Sequence, residues 1–289
     1  MSLLPRKILI TGIQGYLGSK LASKLSDRYQ VCGFDIREPL VGAPDKIRVY
    51  NADRCELSEV LQQEEIDTII HTATLYQTEE SEWRKVARVN LDRSLDYLDA
   101  ALRSKVKCFI NTDTVLGKQV NSYALSKRQF AEWLYLTRNR MKCLNVQLEY
   151  FYGPGAGKTN FIFSMVSRLL AKEQLIPLTD GLQVRDFIHI EDVLRAYESI
   201  LENLSCMPEA YYDFHVCSKS PMKIRDLVVF LQQITQSESQ LGFGQLPRRP
   251  SDDGSCVIAQ NLVPIPDWEP QISMEEGVKG LIAYAKSQN

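Results

Sequence analysis

The segment from Lys7 to Gly18 constrains the fold of this chain more than any other part of its sequence. It reads K-I-L-I-T-G-I-Q-G-Y-L-G, an apolar run followed by three glycines, and apolar residues then recur at helical spacing. This order predicts a strand, a turn and a helix. In that arrangement Gly12 permits the tight turn, and Gly15 lets the backbone approach a pyrophosphate. Gly18 lets the helix pack closely against the strand.

A second predicted strand, at residues 30–34, ends in Asp35. A carboxylate at this distance from the glycines meets an adenosine ribose hydroxyl in dinucleotide sites. The N–H groups and the positive dipole end of the first predicted helix favour an anionic pyrophosphate. Together the glycines and Asp35 predict a dinucleotide-binding site.

Strands and helices alternate through the first half of the chain. The predicted strands cover residues 7–10, 30–34, 47–50, 68–71, 108–111 and 143–149. The predicted helices cover residues 17–25, 58–63, 81–104 and 123–138. Such alternation is typical of the α/β class and predicts a Rossmann-type doubly wound parallel sheet with helices on both faces.

The pattern loosens after residue 150, where helices are predicted at 161–172, 190–203, 224–237 and 274–286. We therefore expect residues 1–150 to form a dinucleotide-binding Rossmann domain that carries the catalytic residues. Residues 151–289 are expected to form a smaller C-terminal substrate-binding lobe. We expect this lobe to be interleaved with the first domain and not to be an independent domain.

Composition excludes several functional classes. A formal net charge of −2 over 289 residues argues against a nucleic-acid-binding surface. No apolar run approaches the length of a membrane span. The seven cysteines contain no C-x-x-C pair and form no recognisable metal site with the three histidines. We expect a cytoplasmic protein with reduced thiols, no metal, no nucleic-acid partner and no membrane association.

Tyr123 and Lys127 lie four residues apart in Y-A-L-S-K, so a helix places both on one face. An ammonium beside a phenol favours the phenolate, which predicts that Tyr123 exchanges a proton near neutral pH. Thr112 follows the predicted strand 108–111, at the sheet edge where a cofactor is expected. Its hydroxyl could orient a substrate oxygen toward Tyr123, which completes a candidate catalytic set.

Further motifs follow one another in order along nearly the whole chain. They are T-G-x-x-G-x-x-G at residues 11–18, Asp35, Asp53 in N-A-D-R, His71-Thr72-Ala73, Asn90 in V-N-L-D, the set Thr112, Tyr123 and Lys127, Y-G-P-G at 152–155, R-D-F-I-H-I-E-D-V at 185–193, Arg249 and Asp252 in P-R-R-P-S-D, and Trp268 with Pro270. In this order they resemble the extended short-chain dehydrogenase/reductases of the NAD-dependent epimerase/dehydratase family.

The resemblance implies an NAD(P)(H) cofactor and a nucleotide-sugar substrate. It implies catalytic roles for Thr112, Tyr123 and Lys127. The implied cofactor contacts are Gly12, Gly15, Tyr16, Leu17, Gly18, Asp35, Arg37, Asp53, Ala73 and Asn90, together with Tyr123 and Lys127. The implied substrate contacts are Asp113, Asn160, Arg185 and Arg249. The two arginines would clasp the sugar diphosphate, since guanidinium groups match phosphate geometry.

Three departures from the family pattern narrow the function. Asp113 and Thr114 follow Thr112 where sugar-nucleotide dehydratases carry aspartate and glutamate, so the glutamate base of a 4,6-dehydratase is missing. Thr112 and Tyr123 are only eleven positions apart. Residues 147–150 (Q-L-E-Y) replace the arginine and asparagine usual in relatives, which leaves the substrate contacts of this segment open.

Three strings narrow the resemblance further: I-N-T-D-T at 110–114, N-S-Y-A-L-S-K at 121–127 and V-Q-L-E-Y-F-Y-G-P-G at 146–155. They are similar to reductases of the CDP-paratose and CDP-abequose synthase type, which make CDP-3,6-dideoxyhexoses for bacterial O-antigens. The resemblance implies reduction of the C4 ketone of a nucleotide-linked 4-keto-deoxyhexose, with a CDP-sugar favoured. A C4 epimerase or a dehydrogenase with bound NAD would use the same residues. A regulatory protein that senses a dinucleotide is a third alternative.

The sequence leaves the choice between NADH and NADPH open. Asp35 should bond the adenosine 2′-hydroxyl and repel a 2′-phosphate, which favours NAD(H). Arg37, two residues later, could accept the phosphate of NADPH. Dedicated reductases of this type usually use NADPH. The carboxylate of Asp35 therefore favours NADH, whereas the resemblance to these reductases favours NADPH.

The resemblance also implies a homodimer that pairs through the predicted helices 81–104 and 123–138. The apolar residues available for this contact are Leu91, Leu95, Leu98, Phe130, Trp133 and Leu134. Some of these residues could instead face the sheet.

Overall fold

A computed structural model of the chain describes residues 7–38, 47–76, 82–157, 159–248 and 263–287. Its strands are β1 (Lys7–Thr11), β2 (Gln30–Asp35), β3 (Arg48–Asn51), β4 (Thr68–His71), β5 (Cys108–Thr114), β6 (Lys142–Leu148), β7 (Tyr150–Tyr152), β8 (Leu175–Leu178), β9 (Val184–Arg185), β10 (Phe187–His189), β11 (Tyr211–Val216), β12 (Met222–Lys223) and β13 (Gln240–Phe243). Its helices are α1 (Tyr16–Leu25), α2 (Leu57–Gln63), α3 (Trp83–Ala87), α4 (Arg93–Leu102), α5 (Ser122–Leu136), α6 (Phe161–Leu170), α7 (Ile190–Asn203), α8 (Ile224–Thr235) and α9 (Met274–Ser287). Among the described residues, no helix combines the length and apolar character that crossing a bilayer requires.

Seven strands form the central sheet, in the order β11-β6-β5-β4-β1-β2-β3. The strands from β6 to β3 pair in parallel, with Leu9 of β1 opposite Cys32 of β2 on one side and Ile69 of β4 on the other. The strand order reverses between β1 and β4, which is the topological switch point of a Rossmann-type sheet. The predicted α/β fold is confirmed.

The seventh strand, β11, is not among the predicted strands. Tyr212, Phe214 and Val216 are buried, and the residues between them are partly exposed. This alternation is visible in the sequence Y-Y-D-F-H-V and is the pattern of a half-buried strand. The backbone N–H of Cys143 donates to the carbonyl of Ala210 at 2.9 Å, which sets the start of β11 beside β6.

Two predicted elements differ from the observed ones around functional residues. The predicted helix 81–104 consists of α3, a π-helical turn at Arg88–Asp92, and α4. A π turn accommodates an extra residue, and here the side chain of Asn90 lies within that turn and is buried. The predicted strand 108–111 continues through Thr114, because its pairing with β6 extends to Leu148.

The chain divides into two compact units. The first contains Met1–Leu148, Leu194–His215 and Ala259–Trp268, and the second contains Glu149–Val193, Val216–Ile258 and Glu269–Asn289. In the first unit, Phe109 and Phe130 lie in the buried cluster between the sheet and its helices. In the second unit, Ile162, Leu227 and Leu281 pack α6, α8 and α9 into a separate core. Each unit therefore has its own hydrophobic core.

The apolar residues expected at a dimer contact are mostly buried within the first unit. Leu98, Phe130 and Leu134 belong to its core, and Leu91 and Leu95 pack against that core partly buried. Trp133 differs, because 51% of its surface is exposed. Five of the six residues therefore already have partners in the chain's own core, and the helical spacing alone did not distinguish the two faces.

His71, the last residue of β4, connects three elements of the first unit. Its Nδ1 lies 2.7 Å from Oγ1 of Thr11, and its Nε2 lies 3.0 Å from Oγ of Ser94. The ring is buried, and burial together with the charge of Lys127 lowers the pKa of His71 well below its ordinary value. A neutral ring thus holds the end of β1 against α4.

Candidate functional site

The glycine turn after β1 is packed so tightly that side chains are excluded from it. Gly12 has a φ of +71°, and a Cβ there would lie 2.6 Å from Cα of Ala73. A Cβ on Gly18 would lie 2.3 Å from the carbonyl oxygen of Gly12. Both distances are far below van der Waals contact, so the first turn of α1 and the turn after β4 press directly on this loop.

The start of α1 has the features of a pyrophosphate cradle. Gly15 precedes the helix with an extended backbone, and Tyr16 and Leu17 form its first turn. The first N–H groups of a helix have no acceptor within the helix and carry the positive end of its dipole. The loop therefore fits the diphosphate of a dinucleotide, with Leu17 buried in the core and Tyr16 half-buried.

Asp35 ends β2 with its carboxylate already engaged. It is 5% exposed and accepts hydrogen bonds from the backbone N–H of Gln14 at 2.9 Å and of Arg37 at 3.0 Å. The guanidinium of Arg37 approaches the same carboxylate at 3.3 Å, while 58% of the Arg37 side chain remains exposed. Asp35 thus fixes the glycine loop, and an arginine charge lies beside the position expected for the adenosine ribose.

Asp53 and Ala73 lie at the ends of β3 and β4. The carboxylate of Asp53 is exposed and is 3.8 Å from the guanidinium of Arg93. The N–H of Ala73 donates weakly to Oγ1 of Thr11 at 3.4 Å, which holds the turn after β4 against the glycine loop. Both positions are consistent with cofactor contact, through the exposed carboxylate of Asp53 and through the backbone of Ala73.

Asn90 is fully engaged with the protein. Its Oδ1 accepts from the N–H of Leu75 at 2.7 Å, and its Nδ2 donates to the carbonyl of Leu75 at 2.9 Å. The same Nδ2 donates to Oγ of Ser126, whose hydroxyl donates to the carbonyl of Tyr123. The side chain therefore joins the loop after β4 to the helix that carries the candidate catalytic residues.

Thr112, Tyr123 and Lys127 all belong to the first unit. Thr112 is on β5, and Tyr123 and Lys127 are on the first two turns of α5. Asn121 begins that helix, because its side chain accepts the N–H of Ala124 at 2.8 Å. Tyr123 is 9% exposed and Lys127 only 3% exposed, so both reactive groups are largely shielded from water.

Three side chains with hydroxyl groups act on this set and were not identified from the sequence. The hydroxyl of Thr112 lies 2.6 Å from that of Tyr197, on α7. The side chains of Tyr76 and Thr114 both shift the pKa of Tyr123. The ring of Tyr76 also packs against that of Tyr123, with centroids 4.8 Å apart. Tyr76 lies on a loop and Tyr197 lies 85 positions from Thr112, so no local pattern marks these two. Thr114 lies on β5, two residues after Thr112.

The phenol of Tyr123 is held in its protonated form. Burial raises the pKa of Tyr123 well above its ordinary value, and Tyr76 and the charge of Asp113 raise it further, whereas Thr114 lowers it. This upward shift is opposite in direction to the one expected from the charge of Lys127, whose effect on the phenol stays a prediction. Burial also lowers the pKa of Lys127 to about 8, against the opposing attraction of Asp113.

Asp113, expected to contact substrate, is buried in a polar network. Its carboxylate accepts from the backbone N–H of Thr114 at 2.8 Å and from Nδ2 of Asn145 at 3.0 Å. Asn145 also donates to Asp213, which accepts a further bond from Gln147 at 2.8 Å. Both oxygens of Asp113 therefore have protein partners, and its charge acts on Tyr123 and Lys127 through space.

The remaining substrate candidates belong to the second unit or lie outside the described residues. Arg185, on β9, donates to the carbonyl of Val184 at 2.7 Å, and its guanidinium lies 5.9 Å from the ring centre of Tyr150. Asn160 caps α6 and donates to the carbonyl of Phe151 at 2.9 Å. Arg249 and Asp252 lie outside the described residues. Within the described parts of the chain, no group of three or more potential ligands could hold a metal ion.

Comparisons with known proteins agree with this geometry. The model of the "NAD dependent epimerase/dehydratase family" matches residues 8–212. CDP-abequose synthase of Salmonella typhimurium is 28% identical, over 98% of this chain and 99% of the synthase. CDP-abequose synthase of Salmonella muenchen is 26% identical, over 96% of this chain and 97% of that enzyme. The solved UDP-glucose 4-epimerase of Thermotoga maritima, 21% identical, has a TM-score of 0.81 and covers 98% of this chain and 99% of its own, which shows the shared fold.

We predict that Lys127→Met stabilises the protein at pH 7 while abolishing activity. Below pH 8 the wild type carries a buried ammonium whose pKa is lowered to about 8. Removing that charge should raise the free energy of unfolding by about 3 kcal/mol. Between pH 8 and 10 the folded wild type loses this proton before the unfolded chain does, so wild-type stability rises and the advantage of the variant should shrink.

The measurement is urea unfolding of both proteins from pH 7 to 10. Lys118→Met, at an exposed position before α5, is the matched control and should change stability little at any pH. A Lys127→Met variant that is less stable than the wild type at pH 7 contradicts the prediction, as does an advantage that does not change with pH.

Proposed function

The chain belongs to the NAD dependent epimerase/dehydratase family, and on that premise we propose that it reduces the C4 ketone of a nucleotide-linked 4-keto-deoxyhexose. As a member of this family it uses a nicotinamide dinucleotide. The substrate class is supported by the similarity to CDP-abequose synthase along the full length of both chains.

The observation that carries the proposal is the similarity to CDP-abequose synthase over 98% of this chain and 99% of the synthase, and the raised pKa of Tyr123 is compatible with it. A reductase needs an acid that gives a proton to the oxygen of the forming alcohol, whereas oxidation of a sugar alcohol must begin with a base. Burial and the nearby charge of Asp113 keep the phenol protonated in the free protein. The site therefore begins in the state that reduction requires.

The chain's own residues would then act as follows. Bound reduced nicotinamide supplies the hydride. Thr112 hydrogen-bonds the C4 oxygen of the sugar, and Tyr123 transfers its phenolic proton to that oxygen as negative charge develops there. Lys127, four residues further on the same helix face, stabilises the resulting phenolate by its charge. Proton donation of this kind contributes about 10²–10⁴-fold to the rate.

Cofactor binding is proposed for the glycine loop and the ends of the neighbouring strands. Gly15 offers its backbone to the pyrophosphate, whereas Gly12 and Gly18 keep the turn tight, because a Cβ at either position would meet protein backbone. Asp35 and Asp53 are proposed for the adenosine. Asn90 is proposed to act on the site through its bonds to the loop after β4 and to α5, because its own polar atoms are already paired.

For the substrate we propose a CDP-sugar, with Arg185 and Arg249 at its diphosphate. Arg185 keeps a partly exposed guanidinium near Tyr150, and a planar cation of this kind suits a phosphate. Asn160 and Asp113 are weaker candidates for substrate contact, since the side-chain polar atoms of both have partners within the protein.

A C4 epimerase with tightly bound NAD remains the second candidate, because the solved epimerase of Thermotoga maritima shares the fold. It would use the same Thr112, Tyr123 and Lys127. The two functions differ in the oxidation state of the cofactor at the start of the reaction. An epimerase is purified with oxidised cofactor and interconverts sugars with no net use of it, whereas a reductase consumes reduced cofactor in proportion to product.

We expect Tyr123→Phe to lower kcat for reduction of a CDP-linked 4-keto-3,6-dideoxyhexose by at least about 100-fold, because the general acid is lost. Affinity for the reduced cofactor, measured by fluorescence, should stay within about threefold, since the ring is retained. Tyr135→Phe, on the exposed face of the same helix, is the matched control and should retain activity. Near-normal turnover in Tyr123→Phe would remove this residue from the mechanism.

Cofactor choice should depend on Arg37. With its guanidinium 3.3 Å from Asp35, Arg37 offsets the charge of that carboxylate and can bind a 2′-phosphate. Arg37→Ala should therefore reduce kcat/KM for NADPH by about tenfold or more while changing that for NADH little. An unchanged ratio of the two cofactors would leave the choice to Asp35 alone.

A homodimer is proposed through the exposed faces of α3 and α5. Trp83, Leu125, Trp133 and Leu136 are large apolar residues with more than 40% of their surface exposed, which is unusual on two neighbouring helices of a monomer. Light scattering at micromolar concentration should give twice the chain mass of 33.0 kDa. Trp133→Glu should shift the protein toward the monomer, and a monomeric wild type would end the proposal.

A further inference from the structure

We infer that Tyr197 is a positioning residue, which donates a hydrogen bond to Thr112 and thereby directs the hydroxyl proton of Thr112 toward the substrate oxygen. The catalytic part of the inference rests on the proposed function, in which Thr112 binds the C4 oxygen of the sugar. Tyr197 belongs to none of the sequence motifs described above, and both residues lie in the first unit.

The two side chains meet because β5 directs alternate residues to opposite faces of the sheet. Asn111 and Asp113 point to one face, where both are hydrogen-bonded to Asn145 of β6. Thr112 lies between them and points to the other face. There its Oγ1 is 2.6 Å from the hydroxyl oxygen of Tyr197 on α7.

Tyr197 lies on the buried, apolar face of α7. Leu194, Ile200 and Leu201 recur around it at helical spacing and are buried with it. Tyr197 itself has no exposed surface, so its hydroxyl is a polar group within an apolar layer. Such a group costs free energy unless it is hydrogen-bonded, and Thr112 supplies that bond.

The burial of Tyr197 decides which of the two hydroxyl groups donates. Burial raises the pKa of Tyr197, so the phenol keeps its proton. Within the described parts of the chain, Thr112 is the one hydrogen-bond partner of this phenol. If Thr112 donated, the phenolic proton would be buried without an acceptor, which is the costly state. Tyr197 therefore donates to Oγ1 of Thr112.

This direction leaves the proton of Thr112 available. A threonine hydroxyl has one proton and two lone pairs, and the bond from Tyr197 occupies one lone pair. Thr112 is partly exposed, whereas Tyr197 is not, so the free proton can meet a ligand. The bond received from Tyr197 also polarises the O–H bond of Thr112, which makes Thr112 a stronger donor.

In the proposed reduction, hydride adds to C4 and the C4 oxygen gains negative charge. The C–O double bond becomes a single bond, and the new O–H bond takes its proton from Tyr123. Thr112 and Tyr197 keep their own protons throughout. A donor that is oriented before the charge develops stabilises it without rearrangement. Tyr197 thus acts on the reaction only through Thr112.

The catalytic test is a cycle of two substitutions, measured by steady-state kinetics with a CDP-linked 4-keto-3,6-dideoxyhexose. Tyr197→Phe should lower kcat about fivefold to tenfold with KM changed less than about twofold. Thr112→Val should lower kcat by about 100-fold or more. In the Thr112→Val background, Tyr197→Phe should change kcat less than about twofold, because its route to the substrate is already lost. Thr112→Ser should retain both the activity and the effect of Tyr197→Phe.

Tyr212→Phe is the matched control. Tyr212, on β11, is also buried, and its hydroxyl accepts the backbone N–H of Glu209 at 2.9 Å in a bond that does not involve Thr112. This variant should lower the melting temperature, as Tyr197→Phe does, and leave kcat unchanged. An equal loss of kcat in both variants would mean that any missing buried hydroxyl impairs the enzyme, and would overturn the inference.

A second test needs neither cofactor nor substrate. Thr112→Val leaves the phenolic proton of Tyr197 buried without an acceptor, whereas Thr112→Val combined with Tyr197→Phe removes both hydroxyl groups. The double variant should therefore melt at a higher temperature than Thr112→Val alone. If the double variant melts at a lower temperature, the bond does not hold the phenol and the inference is wrong.

The outcomes separate the two proposals. If the wild type reduces no 4-keto nucleotide sugar, the proposed function and the catalytic part of the inference both fail, and the melting temperatures judge the bond alone. An unchanged or raised kcat in Tyr197→Phe overturns only the inference, because Thr112 would then not depend on a proton from Tyr197. An equal loss of kcat from Tyr197→Phe with and without Thr112 also overturns it.

Discussion

The glycine turn after β1 is in close backbone contact with the first turn of α1 and with the turn after β4. The rest of the first unit depends on this contact. At Gly12 and Gly18 a single added carbon would lie 2.6 and 2.3 Å from other backbone atoms, and backbone cannot turn aside as a side chain can. Thr11, just before the turn, bonds His71 through its hydroxyl and Thr72 through its carbonyl. Any expansion here would separate β1 from β4 at the switch point, where a dinucleotide must bind.

The glycine loop also fixes the position of a charged group, the carboxylate of Asp35. Asp35 accepts the N–H of Gln14 from within the glycine loop and that of Arg37 beyond β2. Its carboxylate is thus part of the loop's structure before any ligand arrives. An acidic residue can therefore be kept at the position proposed for the adenosine with an arginine beside it. The carboxylate has a structural partner, and the guanidinium of Arg37, whose side chain is 58% exposed, is the group that could meet solvent or ligand.

Local patterns predicted most of the fold and the core of the candidate site. Six of the seven strands of the central sheet and the Tyr123–Lys127 helix follow from apolar periodicity, which depends only on nearby residues. The rest depends on contacts between distant segments. Thr112 meets Tyr197 across 85 positions, and Asp113 is enclosed by Asn145 from another strand. No spacing rule encodes such contacts, so the partners of Thr112 and Asp113 could be identified only from the structure.

The buried lysine and phenol explain why an energetically unfavourable arrangement is retained. Before reaction, Lys127 is an ammonium out of water, and burial lowers its pKa to about 8. The neutral phenol of Tyr123 offsets little of the free energy that burying this ammonium costs. In the proposed reaction, a negative charge would appear on Tyr123, four residues away on the same helix face, as its proton leaves, and the attraction between the two groups would be realised only then. An interaction that is weak in the resting state and strong as the reaction proceeds lowers the barrier without tightening the ground state. In the proposed reaction, part of the free energy spent on burying the Lys127 ammonium would therefore be recovered as the proton leaves Tyr123.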